Sequence, residues 1–96
     1  MQFSELCAQI DAQLDADPQL AGSRSSAQPD ESIWALSRNG VIIRSAGSTG
    51  IEIIYQIDGH EIHRRTFAAS PMSIGRIVRT ATEHLTGYRV REPQGP

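Results

Sequence analysis

Two stretches carry residue types in spacings that chemistry uses. His60-Glu61-Ile62-His63 sets two imidazoles around a carboxylate, and Gly47-Ser48-Thr49-Gly50 is a short glycine-rich loop. In the zinc-hydrolase pattern two His stand four apart on one helix face, with Glu as the base. Here the spacing is one residue shorter and the segment reads as a strand. Strand side chains alternate, so His60 and His63 are expected on opposite faces. Tetrahedral zinc takes four convergent ligands, and the one remaining histidine, His84, falls on a helix. No metal site is expected.

The glycine loop has no following Lys and leads into a strand, whereas a phosphate cradle opens a helix. Its glycines read as hairpin chemistry. No Ser occupies a nucleophile elbow, and the acids are scattered over different elements rather than paired for proton transfer. Cys7 is the only cysteine. Its charged neighbours Glu5 and Asp11 oppose thiolate formation, so it reads as a small buried hydrophobe. These absences point away from an enzyme and from any cofactor. A small enzyme would need a pocket between helices and sheet holding His84 or His60.

All nine basic residues are Arg, which a GC-rich coding bias explains, and the net charge is −2. Charge is uneven along the chain. Residues 1–31 hold six acids and one Arg, whereas residues 32–96 hold eight Arg and five acids. Such asymmetry suits either an anionic partner for the C-terminal part or mutual neutralisation. Arg64, Arg76, Arg79, Arg89 and Arg91 form the candidate nucleic-acid edge. Against it, nucleic-acid binders are usually basic overall.

Ninety-six residues make one domain, 1–96. A chain of this size buries only about 60–65% of its unfolded surface, which makes self-association an option. No apolar run approaches the ~20 residues of a membrane span. The N-terminus, MQFSELCAQID, lacks the basic and apolar regions of a secretory signal. A cytoplasmic protein is expected.

The elements that position these residues follow from periodicity. Phe3, Leu6, Cys7, Ile10 and Leu14 predict an amphipathic helix over 4–16, with Ser4 as N-cap. Asp17-Pro18 ends it. Residues about 18–31 are rich in Pro, Ser, Gly and Ala and predict a flexible loop. Apolar runs at 32–38 and 41–45 flank Asn39-Gly40, and a second pair over 51–67 flanks Asp58-Gly59. Both dipeptides are type I′ hairpin signals. Ser70-Pro71 opens the last helix and Gly87 closes it. Residues 88–91 suggest a brief edge strand, and the tail from about 92 to 96 frays. The fold class is α+β: a two-layer sandwich in which an N- and a C-terminal helix cover one face of a four-stranded antiparallel meander.

Two-residue turns pair Arg38 with Val41 and Ile57 with His60. A three-residue link pairs Ile43 with Ile53 and keeps apolar residues on one face, because a one-residue slip inverts every side chain. The helix-facing rows are Leu36–Ile43–Ile53–Arg64, Arg38–Val41–Tyr55–Ile62 and Trp34–Ser45–Ile51–Thr66. The outer face carries Ser37–Ile42–Ile54–His63 and the triad Arg44–Glu52–Arg65, closed by Ile33 and Phe67.

Adjacent apolar residues rimmed by charge mark an interaction surface. Ile42, Arg44, Glu52, Ile54, His63, Arg65 and Phe67 are therefore the candidate partner-binding residues. The function expected is a non-enzymatic protein-binding module: an adaptor, a chaperone-like factor, or an inhibitor encoded by a phage or mobile element. Its partners are another protein and a second copy of itself, as a homodimer. The second expectation is nucleic-acid binding through the Arg edge.

Overall fold

Leu6, Ile10 and Leu14 recur at helical spacing, and all three are fully buried in the computed structural model of the chain. The structure describes residues 2–28, 30–47 and 49–87. The helix that carries them, α1, spans Phe3–Asp15. It starts one residue earlier than expected because Glu5, in the first turn, accepts the Gln2 backbone N–H at 3.1 Å. Gln2 is thus the N-cap in place of Ser4. Beyond the helix, the Asp17 carboxylate accepts the Gln19 N–H at 2.9 Å, an Asx-type turn that redirects the chain.

Within the segment read as a loop, residues 24–28 form a strand, which corrects that part of the expectation. Leu20 is fully buried in the helix-side core, and Arg24–Gln28 forms strand β1. The sheet therefore has five strands, not four. A short polar strand suits a sheet edge, where apolar residues would invite aggregation, so composition alone made it look like a linker.

The meander continues as β2 (Glu31–Leu36), β3 (Asn39–Ala46), β4 (Gly50–Ile57) and β5 (His60–Ala68), in the order β1-β2-β3-β4-β5 with every pair antiparallel. Helix α2 (Pro71–Thr86) begins as expected, with Ser70 Oγ accepting the Met72 N–H at 3.2 Å and Pro71 in the first turn. It ends at Gly87, whose φ of 69° is the left-handed C-cap geometry glycine adopts freely. Both helices pack on one face of the sheet and on each other around a single core. The predicted edge strand at 88–91 and the tail lie outside the described residues.

Two registers differ from expectation. The first hairpin turns at Ser37-Arg38, not Asn39-Gly40, so Trp34 rather than Arg38 pairs with Val41. Asn39 is drawn into β3, where its side chain donates to the Leu85 carbonyl at the end of α2 (3.3 Å). Trp34 is drawn to a buried acid described below. Ser37 accepts the strained turn position, φ 58°. The slip is even in number, so the faces of β2 and β3 are those predicted. The Asp58-Gly59 turn forms as expected, both residues at positive φ, and Ile43 pairs with Ile53 across the three-residue link. At Gly50 a Cβ would sit 2.8 Å from the Ala46 carbonyl oxygen, so only glycine closes that link.

The second difference reverses a face. Between Glu61 and His63, β5 carries one extra residue, Ile62, and from there Tyr55 pairs with His63, Ile53 with Arg65 and Ile51 with Phe67. This is a β-bulge. A straight register would put Thr66 and Arg64 over the core. The bulge buries Phe67 in place of Thr66 and leaves Ile62 55% exposed. Burying a phenyl ring is worth about 2–3 kcal/mol, and a hydroxyl buried without a partner costs about 1–3 kcal/mol. Together these outweigh the part of Ile62 that is uncovered.

Candidate interaction surface and groove

The outer face of the sheet is built from the rows Ile33–Ile42–Ile54–Arg64 and Glu31–Arg44–Glu52–Thr66. No described element lies on it, since Leu20 and its turn join the opposite side. Of the predicted partner-binding residues, Ile42, Arg44, Glu52 and Ile54 are brought together here. His63, Arg65 and Phe67 are not. The bulge turns them to the helix side, where Phe67 is in the core, His63 lies beside Tyr55 and Arg65 stacks over Phe67 at 5.0 Å. Arg64 takes the place expected of Arg65.

A charged network therefore crosses three strands. Glu52 accepts from Arg44 Nε at 2.7 Å and from Arg64 Nη1 at 3.0 Å. Arg64 reaches on to Glu61, with contacts of 2.7 and 3.1 Å. The Arg44 hydrogen bond, helped by Arg64, holds the Glu52 carboxyl below its ordinary range against a smaller opposing effect of desolvation. Arg64 does the same for Glu61. Ile54 is only 4% exposed although no helix covers it. Ile33 and Ile42 are half-open.

The described residues of the nucleic-acid reading do not converge. Arg64 belongs to the outer network, Arg76 and Arg79 project from α2 in the other layer, and Arg89 and Arg91 lie outside the described residues. The expected split of His60 and His63 also changes. His60 pairs with Ile57 and His63 with Tyr55, so the bulge sets both on the helix side. Among the described residues no group of three or more His, Cys, Asp or Glu could hold a metal ion.

One polar centre was not foreseen. Asp11, on the α1 stripe that also holds Cys7 and Leu14, is 8% exposed. Its Oδ1 accepts from Ser32 Oγ at 2.8 Å and Trp34 Nε1 at 2.9 Å, and its Oδ2 meets Arg24 Nη1 at 3.3 Å. The acid thus ties α1 to β1 and β2. The signal was available: a buried Trp seeks a partner for its N–H, and Asp11 stands four residues from Cys7 on the buried side. Cys7 lies 3.8 Å from the same carboxylate. Burial, then the Asp11 charge, pushes its thiol up to about 12, so it stays protonated at neutral pH.

On the helix side, where α2 passes the bulge, lies a half-open groove of about 500 Å³. Tyr55 forms its floor, stacked on His63 (centroids 5.8 Å apart, planes at 9°) and tilted against His84 (5.3 Å). Tyr55 and His84 are themselves anchored. The Tyr55 hydroxyl bonds to Thr80 Oγ1 at 3.0 Å, and His84 Nε2 donates to the Gln56 carbonyl at 2.8 Å. Ile57 and Ile62 line one wall, with Arg65 and Glu83 at the rim. Sequence reasoning asked for such a pocket around His84 or His60, and His63 stands where His60 was expected. It missed the groove because a straight β5 would have filled it with Ile62.

Comparison with protein-family models, with curated proteins and with solved structures gives no match to this chain. No helix among the described residues is long and apolar enough to cross a membrane.

Proposed function

We propose that the protein is a small non-enzymatic binding module that engages another protein, and a second copy of itself, through the outer face of its sheet. The observation that carries this reading is the Ile33–Ile42–Ile54 row, which runs across three strands with no covering layer among the described residues and is bordered by the Arg44–Glu52–Arg64–Glu61 network. Antiparallel sheets that meet only water on one side alternate to polar residues there. Interfaces instead combine an apolar centre with a charged rim. The ion pairs shield the row in the free protein and can re-pair with a partner's charges. Adaptor, chaperone-like factor and inhibitor all use such a surface.

Ile42→Asp tests it, because Ile42 is half-open and its replacement leaves the helix-side core untouched. The expected result is loss of dimer in sedimentation and at least a tenfold loss of partner capture, with the thermal transition retained. Unchanged assembly and unchanged capture overturn the reading.

A further inference from the structure

The groove beside the bulge is lined by two charged groups, Arg65 and Glu83, of which Arg65 also stacks over the Phe67 ring. Arg65 and Glu83 have no hydrogen-bond or ion-pair partner among the described residues, and they do not pair with each other. Every ion pair of the outer face is, by contrast, closed. The groove is also polarised along its length. Arg65 stands at the end near Thr80. The other end, at Gly87, is the C-terminus of α2, the negative end of the helix dipole. Between the two ends lie the Tyr55 ring and the side chains of Ile57 and Ile62. An arginine is suited to a carboxylate, which it binds through two parallel N–H bonds. A carboxylate beside a helix C-terminus is suited to an ammonium group. About 500 Å³ is within the range of small-ligand sites.

From this we infer that the groove is a binding site for a small zwitterion of dipeptide size, its carboxylate on Arg65, its ammonium group at Glu83 and the α2 C-terminus, and its apolar body against Tyr55, Ile57 and Ile62. The site lies in the opposite layer from the outer sheet face and does not depend on it.

The test is an amide-resolved NMR titration with alanyl-phenylalanine, run beside its N-acetylated form, which lacks the ammonium, and its C-terminal amide, which lacks the carboxylate. The expected result is saturable shifts confined to β4, β5 and the second half of α2, with each capped peptide at least about tenfold weaker, as loss of a charge-assisted hydrogen bond predicts. Arg65→Gln is expected to abolish the preference for free acid over amide. Glu83→Gln is expected to abolish the preference for free amine over acetyl. Neither side chain makes a hydrogen bond or ion pair among the described residues, Arg65→Gln gives up only its stacking over Phe67, and spectral dispersion verifies that each variant keeps the fold. Absence of saturable shifts, shifts scattered over the surface, or equal binding of all three peptides overturns the proposal. So does a variant that leaves its matching preference intact.

Discussion

Each face of the sheet holds a carboxylate gripped by arginine, and the two grips work differently. Asp11, on the helix side, is held by Arg24 together with two buried donors, Ser32 and Trp34. Glu52, on the outer face, is held by Arg44 and Arg64 alone, whose side chains are 40% and 44% exposed. Removing Asp11 strands an indole N–H and a hydroxyl where water does not reach. Removing Glu52 releases two guanidinium groups into solvent. The buried grip fixes the fold, whereas the exposed one can be broken without stranding a buried group.

The largest effect expected from this contrast is at Asp11. Asp11→Ala is expected to cost about 3–5 kcal/mol in urea unfolding, the range for breaking a buried charged network at one end. Asp11→Asn keeps an acceptor for Trp34 and is expected to cost about 1–2 kcal/mol. Equal losses would show that the charge, not the acceptor, is what α1 supplies.

The next effect tests the bulge that separates the two faces. Phe67→Ala is expected to cost about 3–4 kcal/mol, and Ile62→Ala about 1 kcal/mol or less, since Ile62 is 55% exposed. A straight β5 reverses the order, so the same two unfolding curves decide the register.

The smallest effect is on the outer face and shows as pH dependence. The Glu52 carboxyl is held below its ordinary value of 4.5 in the folded state. Its contribution is therefore complete above that value and lost as pH falls through the lower, folded one. The wild-type urea midpoint is expected to drop on acidification through this window. Glu52→Gln is expected to flatten the drop, with Glu61 and Asp58, held low by Arg64 and Arg38, supplying the remainder. An unchanged slope would mean that the network is as exchangeable in the unfolded chain as in the folded one.

Much of this was legible in the sequence where a single local rule decides. Helical spacing found Leu6, Ile10 and Leu14, and capping chemistry found Ser70 and Gly87. Asp58-Gly59 found its own turn, and parity across the three-residue link paired Ile43 with Ile53. The reading failed where a distant partner outvoted a local signal. Asn39-Gly40 is a good turn, but Asn39 is needed at the end of α2 and Trp34 at Asp11. Residues 24–28 look like a linker until β2 is available to pair with them. Alternation in β5 was sound up to Glu61 and wrong from His63 on, because the choice between Thr66 and Phe67 in the core is made by tertiary packing. That single inserted residue moved three of the seven expected surface residues to the other side and opened the groove.

The bulge has a counterpart. The edge strand β1 skips a residue between Arg24 and Ser26 in its pairing with β2, so both outermost strands of the sheet are interrupted. An uninterrupted edge is a template on which foreign strands can polymerise. Here the ladder of free backbone donors and acceptors is broken on each side before it can support a long added strand. The interruptions work against either described margin acting as a seed for fibres.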